Sequence, residues 1–298
     1  MAERSFKDLF SGAYQRTKNA NVLTKSLALS ESGAPEILAG QELGHPDFEH
    51  LQVGQTATGR GVVFFLDIRG FTKLSFVLSN EELLAILQAL TMASVASVLQ
   101  FGGHVIEFTG DGVMAVFGDA HSAAEFAAFS ALHAASFLMK GIRDEVNPLL
   151  VHNGTQPVRT GMGLEFGEIL WSRIGILGNT QVKPICEATF LAGKLSSSRF
   201  TAAWEAKVGA DLAAWIPAEY KRQAEKYEFV MDGKTYSRDL FIFDWEEFGK
   251  AVKTQAGVLR QRMLTRKLAP VAIASAVRTV APTATPAGAR TLKDQPFF

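Results

Sequence analysis

One cysteine in 298 residues excludes an intrachain disulfide, and a lone Cys186 fits a reducing compartment. Net charge is missing too. Thirty Lys and Arg balance thirty Asp and Glu, so bulk attraction to nucleic acid or to a membrane surface is not expected. The first eight residues hold no apolar signal core, which leads to a cytoplasmic expectation. The most apolar stretch, 83–99, is interrupted by Gln88, Thr91, Ser94 and Ser97 and reads as a buried helix covering a sheet. The six histidines are scattered, without metal-ligand spacing. What the chain has in plenty is apolar side chains, 47% of residues, ample for a core in one or two domains.

The order of patterns predicts three regions: a helical, polar N-terminal extension over 1–60, a main domain over 61–248, and a basic tail over 249–298, disordered beyond about 270. In the main domain, 61–68 is a strand rich in β-branched and aromatic residues. Ser79 followed by Glu81 and Glu82 opens a helix that runs to about Gln100. A hairpin over 104–117 turns at Asp111-Gly112, and an alanine-rich helix follows over 121–140. A second hairpin pairs 158–164 with 168–174 around Phe166-Gly167. A glycine-containing loop then leads to a helix over 186–198, and a third hairpin turns at Asp232-Gly233. This is an α+β pattern with a mixed, mostly antiparallel sheet and helices on one face.

Two acidic residues stand out. Asp67 ends the apolar run Val62-Val63-Phe64-Phe65-Leu66, and Asp111 sits at the tip of the first hairpin. A carboxylate at the end of a buried strand is costly unless paired or metal-bound. Two of them on neighbouring strands make a site for two divalent cations, suited to phosphoryl transfer.

The blocks Phe65-Leu66-Asp67-Ile68-Arg69-Gly70-Phe71-Thr72 and Thr109-Gly110-Asp111-Gly112-Val113-Met114, with a third running from Arg159 to Leu195, resemble the catalytic domain of the class III nucleotide cyclases. The resemblance implies a ferredoxin-like βαββαβ core working as a head-to-tail homodimer with active sites at the interface. Asp67 and Asp111, helped by the backbone carbonyl of Ile68, would hold two Mn²⁺ or Mg²⁺ ions. Backbone N–H groups around Gly70, Phe71 and Thr72 would hold the β- and γ-phosphates, and Arg159 matches a phosphate-binding arginine.

The family reads the base at two positions, here Glu107 and Lys183. Adenylate cyclases usually place lysine at the first and Asp or Thr at the second, so the arrangement is inverted. Glu107 accepts and Lys183 donates, which complements N1–H and O6 of guanine, or N3–H and O4 of uracil. Cytosine fits if shifted. The two side chains could also salt-bridge each other across the interface. Phe190 stands where a ribose-orienting asparagine is usual, and Lys194 where a transition-state arginine is. The unorthodox base half is similar to the pyrimidine cyclases of bacterial Pycsar antiphage systems. That branch implies a nucleoside triphosphate substrate, UTP first, and a cyclic nucleotide that activates a separate effector. Cytidylate cyclase, guanylate cyclase and a catalytically inactive nucleotide-binding domain remain alternatives. Arg69 reads as a phosphate contact or a solvated loop residue. Arg173 could face the dimer interface, Lys234 is an exposed turn lysine that could reach the triphosphate, and Cys186 and Trp171 read as packed residues.

Overall fold

The apolar run before Asp67 becomes the central strand. β1 (Thr56–Arg69) buries Val62, Phe64 and Leu66 on one face and Val63 on the other, as a strand covered on both sides must. The computed structural model describes residues 5–19, 43–119, 122–176, 178–198, 204–224 and 226–266. These belong to one unit, Met1–Leu268; Ala269–Phe298, with the expected disordered tail, lies outside the described residues.

Antiparallel partners flank β1 on both sides. β3 (Gly112–Phe117) pairs from Val62↔Phe117 to Leu66↔Val113, and β2 (Gly103–Thr109) lies beyond β3. On the other side β4 (Arg159–Ile176) runs along the whole of β1, from Thr56↔Ser172 to Arg69↔Arg159. The sheet continues through β6 (Ala206–Gly209), β10 (Leu240–Phe243) and β7 (Lys221–Gln223), while β5 (Asn179–Ile185) pairs back on β4. Among the described strands β4 and β6 pair in parallel and the rest antiparallel, so the sheet is mixed and mostly antiparallel, as expected. A separate ribbon of β8 (Tyr227–Met231) and β9 (Lys234–Arg238) turns at Asp232-Gly233, both at positive φ.

The expected hairpin at Phe166-Gly167 does not form. Gly167 sits in unbroken ladder opposite Gly61. The chain reverses instead between Ile176 and Asn179, so Arg159–Ile176 is one strand rather than two. β1 likewise begins five residues earlier than the predicted 61.

After β1 comes the single turn α2 (Phe71–Leu74), then α3 (Asn80–Gln100). Ser79 caps α3 in a reciprocal box: its hydroxyl accepts the Glu82 N–H at 3.2 Å and Glu82 accepts the Ser79 N–H at 2.9 Å. Among the described residues α3 is the one helix long and apolar enough to cross a membrane. Its apolar character has a packing cause: one side meets the sheet and another meets α1 (Phe6–Asn19), whose Phe6, Phe10 and Tyr14 are buried in the same core. Each such side chain contributes about 1.5–3 kcal/mol on burial. α4 (Ala124–Gly141) continues through a π-turn, Ile142–Val146, into α5 (Asn147–His152), and α8 (Trp245–Arg266) packs on α4.

α3 and α4 share one face of the sheet. α6 (Glu187–Ser197) does not: its Ala188 and Ala192 join Val63, Met114, Val116, Ile169 and Trp171 on the opposite face. The expectation of helices on one face therefore holds for α3 and α4 and fails for α6. Segment 43–55, with Phe48 and Leu51, covers that second face beside α6. A short helix, α7 (Ala210–Ala213), follows β6.

Candidate active site

Asp67 lies third from the end of β1, one residue past the point where pairing with β3 stops. Asp111 occupies the β2–β3 turn. The turn residues are Gly110-Asp111 rather than Asp111-Gly112: Gly110 takes φ 74°, and Gly112 already belongs to β3. A Cβ at Gly112 would come within 2.4 Å of the Leu66 carbonyl oxygen, so only glycine lets the turn lie this close to β1. The Asp111 carboxylate accepts a hydrogen bond from the Ile68 backbone N–H, which anchors the turn to the strand carrying Asp67.

Both carboxyls are about half-buried and pushed above the ordinary range. For Asp67 the causes are burial, then the charge of Asp111, opposed by Arg69. For Asp111 burial is opposed by backbone N–H bonds. Two neighbouring carboxyls, each disfavoured as a charge by burial and one of them also by the other's charge, form a centre of under-compensated negative charge. The donors are hard oxygens, and the fit is to Mg²⁺ or Mn²⁺. Among the described residues no group of three or more His, Cys, Asp and Glu could hold a metal. The donors that the described residues bring together here are thus the two carboxylates of Asp67 and Asp111.

Arg69 belongs to this cluster, which the sequence left undecided. It is no solvated loop residue. A Cβ on Gly161 would lie 2.3 Å from the Arg69 guanidinium, which therefore crosses over that glycine. Burial pulls its pKa down and Asp67 pulls it up. The only sequence signal was its spacing of two from Asp67 on a strand. Arg159 stands opposite Arg69 at the start of β4, exposed. Gly70, at φ 70°, caps α2, and its carbonyl accepts the Lys73 N–H at 2.8 Å. The N–H groups of Phe71 and Thr72 stand in the first turn, where helical geometry supplies no acceptor.

Glu107 and Lys183 form an ion pair within one chain, not across an interface. Both side chains are partly buried. Lys183 stands on β5 opposite Ser172 of β4. Two residues earlier, Gln181 donates its amide to the Ile106 carbonyl at 3.0 Å, which holds β5 against β2. The β2 ladder slips between Val105 and Glu107, so Glu107 follows a bulge.

Phe190 and Lys194 lie one turn apart on the outer side of α6, both exposed, Phe190 by 72%. Cys186 is the N-cap residue of α6, with Sγ 3.2 Å from the Thr189 hydroxyl, a packed helix start. Trp171 is buried and stacked on Phe48 at 4.6 Å. Lys234 is exposed beside the β8–β9 turn. The structure thus forms two clusters, one around Asp67 and Asp111, one around Glu107 and Lys183.

No protein-family model matches the chain. It is 28% identical over 159 residues, 51% of its length, to a cytidylate cyclase of Escherichia coli, covering 34% of that protein. It is 29% identical over 137 residues, 45% of its length, to a uridylate cyclase of Rhodovulum, covering 57% of that protein. The chain therefore spans about a third to somewhat over half of these relatives' lengths. Among solved structures, the adenylyl cyclase CyaB of Pseudomonas aeruginosa superposes with a TM-score of 0.56 at 25% identity, over 63% of this chain and 95% of that one.

Proposed function

We propose that this chain, whose fold is that of the class III nucleotide cyclases and whose sequence resembles the pyrimidine cyclases, converts UTP to 3′,5′-cyclic UMP and pyrophosphate. The observation that carries the reading is the placement of Asp67 and Asp111 side by side, half-buried and mutually repelling. Divalent cations bound there would lower the pKa of the ribose 3′-hydroxyl and neutralise the triphosphate. In the reaction a 3′-oxygen to α-phosphorus bond forms and the bond to the β-phosphate bridge breaks. Arg159 and the N–H groups of Gly70, Phe71 and Thr72 hold the β- and γ-phosphates. Lys194 brings positive charge to the developing negative charge. Glu107 accepts from the uracil N3–H and Lys183 donates to O4. Phe190 fills space beside the smaller base.

The working unit in this reading is a head-to-tail homodimer. Leu170, Ile174 and Ile176 of β4 and Ile185 of β5 lie exposed on one face of the β4–β5 ribbon, the face that also carries Lys183. Phe190 adds a further exposed ring on α6. Such a surface fits a second copy that brings its own metal half to this base half.

CTP is the second reading, favoured by the similarity to the Escherichia coli cytidylate cyclase. A shifted cytosine would give its amine to Glu107 and take Lys183 at O2. Incubation with each nucleoside triphosphate and Mn²⁺, with products resolved by chromatography, separates the readings. Cyclic UMP is expected. Cyclic CMP supports the second reading, and predominant cyclic GMP removes the pyrimidine assignment. No pyrophosphate from any nucleotide points to an inactive nucleotide-binding domain. The resemblance to the Pycsar cyclases extends the proposal to a second messenger of bacterial antiphage defence that activates a separate effector. Loss of phage protection with an Asp111→Ala variant tests it.

A further inference from the structure

Arg173 lies near the C-terminal end of β4 with its side chain only 19% exposed. Its guanidinium reaches three ways. Nε donates to the Leu51 carbonyl at 2.5 Å, and Nη2 donates to the Glu49 carbonyl at 2.5 Å and to its carboxylate at 2.9 Å. Nη1 donates to the Thr180 hydroxyl on β5 at 3.2 Å. The first two contacts are on segment 43–55; the third is three residues from Lys183.

The same segment grips β2. Gly44 donates its N–H to the Val105 carbonyl at 2.8 Å, and His45 Nε2 is 2.9 Å from the Gly118 carbonyl. The Val105 bond lies beside the bulge that precedes Glu107. At the bulge, the Val105 carbonyl goes to Gly44 and the Ile106 carbonyl goes to Gln181 of β5. The register of Glu107 is therefore held from two sides, by the segment and by β5. Arg173 ties those two holders together. The circuit closes: segment to Arg173, Arg173 to β5, β5 to β2, β2 back to the segment.

We propose that Arg173 is a positioning residue for the Glu107–Lys183 pair: by clamping segment 43–55 to β5 it sets the spacing at which the pair meets a base. This rests on the reading of that pair as base-reading. A fork with donors in three directions is needed; a lysine offers one point charge and leaves main-chain carbonyls without their charged donor.

The test uses the full chain as Arg173→Met and Arg173→Lys. The first readout is acetylation of Lys183 by N-hydroxysuccinimidyl acetate, followed by mass spectrometry against Lys207 as internal reference. The second is kcat and KM for UTP and CTP with Mn²⁺. With Met, Lys183 labels several-fold faster relative to Lys207, and discrimination between the two pyrimidines falls about tenfold, within the range that pocket contacts supply. KM rises more than kcat falls, and Lys recovers little. An Arg173→Met protein with wild-type circular dichroism but unchanged Lys183 labelling and selectivity overturns the proposal and leaves Arg173 a tether. If Arg173→Met does not fold, Thr180→Val removes the β5 arm alone and is held to the same two readouts. A wild type that cyclises nothing sinks the base-reading assignment, while the labelling arm still decides whether Arg173 positions the pair.

Discussion

In the proposed reading, the metal half and the base half of the site solve opposite electrostatic problems. Asp67 and Asp111 repel one another, and the fold offers Arg69 and a few backbone N–H groups as partial relief. Glu107 and Lys183 neutralise each other directly. The first half is incomplete until cations arrive. The second is complete when empty and must be opened to admit a base. Chemistry is thus written into a cluster that needs its ligand, and selectivity into one that resists it.

The largest expected effect breaks the first half. Asp67→Ala or Asp111→Ala should lower cyclisation by about 10³-fold or more, as loss of a metal site does, with the fold intact by circular dichroism. Because charge is disfavoured at both carboxyls, the same variants should melt no lower than wild type in EDTA. Mn²⁺ should raise the melting temperature of wild type and not of the variants; a variant still stabilised by Mn²⁺ would remove Asp67 and Asp111 from the metal site.

Next in size is an inversion of the second half. Glu107→Lys with Lys183→Asp recreates the lysine-then-acid order that complements adenine. The ratio of kcat/KM for ATP over UTP should rise about 10- to 100-fold, the scale at which a matched base-edge contact discriminates. Each single variant should do worse than the double, because each sets two like charges against one another where the ion pair stood.

A third test probes the ground beneath the base half. Glu165, on β4 under α6, is buried and accepts the Leu212 and Phe166 N–H groups, each at 2.8 Å. Burial pushes its pKa from 4.5 up to about 8. Below 4.5 both folded and unfolded chains carry the proton. Between 4.5 and about 8 the unfolded chain loses it while the folded chain keeps it. Stability should therefore fall as pH rises through that window and level off above it. Glu165→Gln should flatten this slope and, at pH 8, exceed wild type by something on the order of a few kcal/mol in urea melts. The smallest effect belongs to an ion pair outside both halves. Arg60→Ala, which breaks the exposed Arg60–Glu168 contact, should cost less than about 0.5 kcal/mol.

The meeting of Asp67 and Asp111 was legible because its signals are local. A strand ended by aspartate and a glycine-rich turn carrying another need no knowledge of what lies across the sheet. The α3 start was equally plain, since a capping box is written in four adjacent residues. The long β4 was not. Phe166-Gly167 has the composition of a turn, but Gly167 earns its place through close approach: a Cβ there would lie 3.1 Å from that of Ala188 on α6. The face chosen by α6, and the pairing of Glu107 with Lys183 inside one chain, depend on contacts 76 residues apart and leave no mark in spacing. Arg69 was ambiguous for the same reason, because its neighbour is an absent side chain at Gly161.

That unbroken strand has a consequence for how a two-fold pair would behave. β4 passes Asp67 at Gly161, two residues after its start, and ends by carrying the strand of Lys183. In a head-to-tail dimer one strand serves the phosphate end of one site and the base end of the other. Two sites that share their beams cannot be expected to fill as strangers, and nucleotide titration of the intact dimer should give a Hill coefficient away from one.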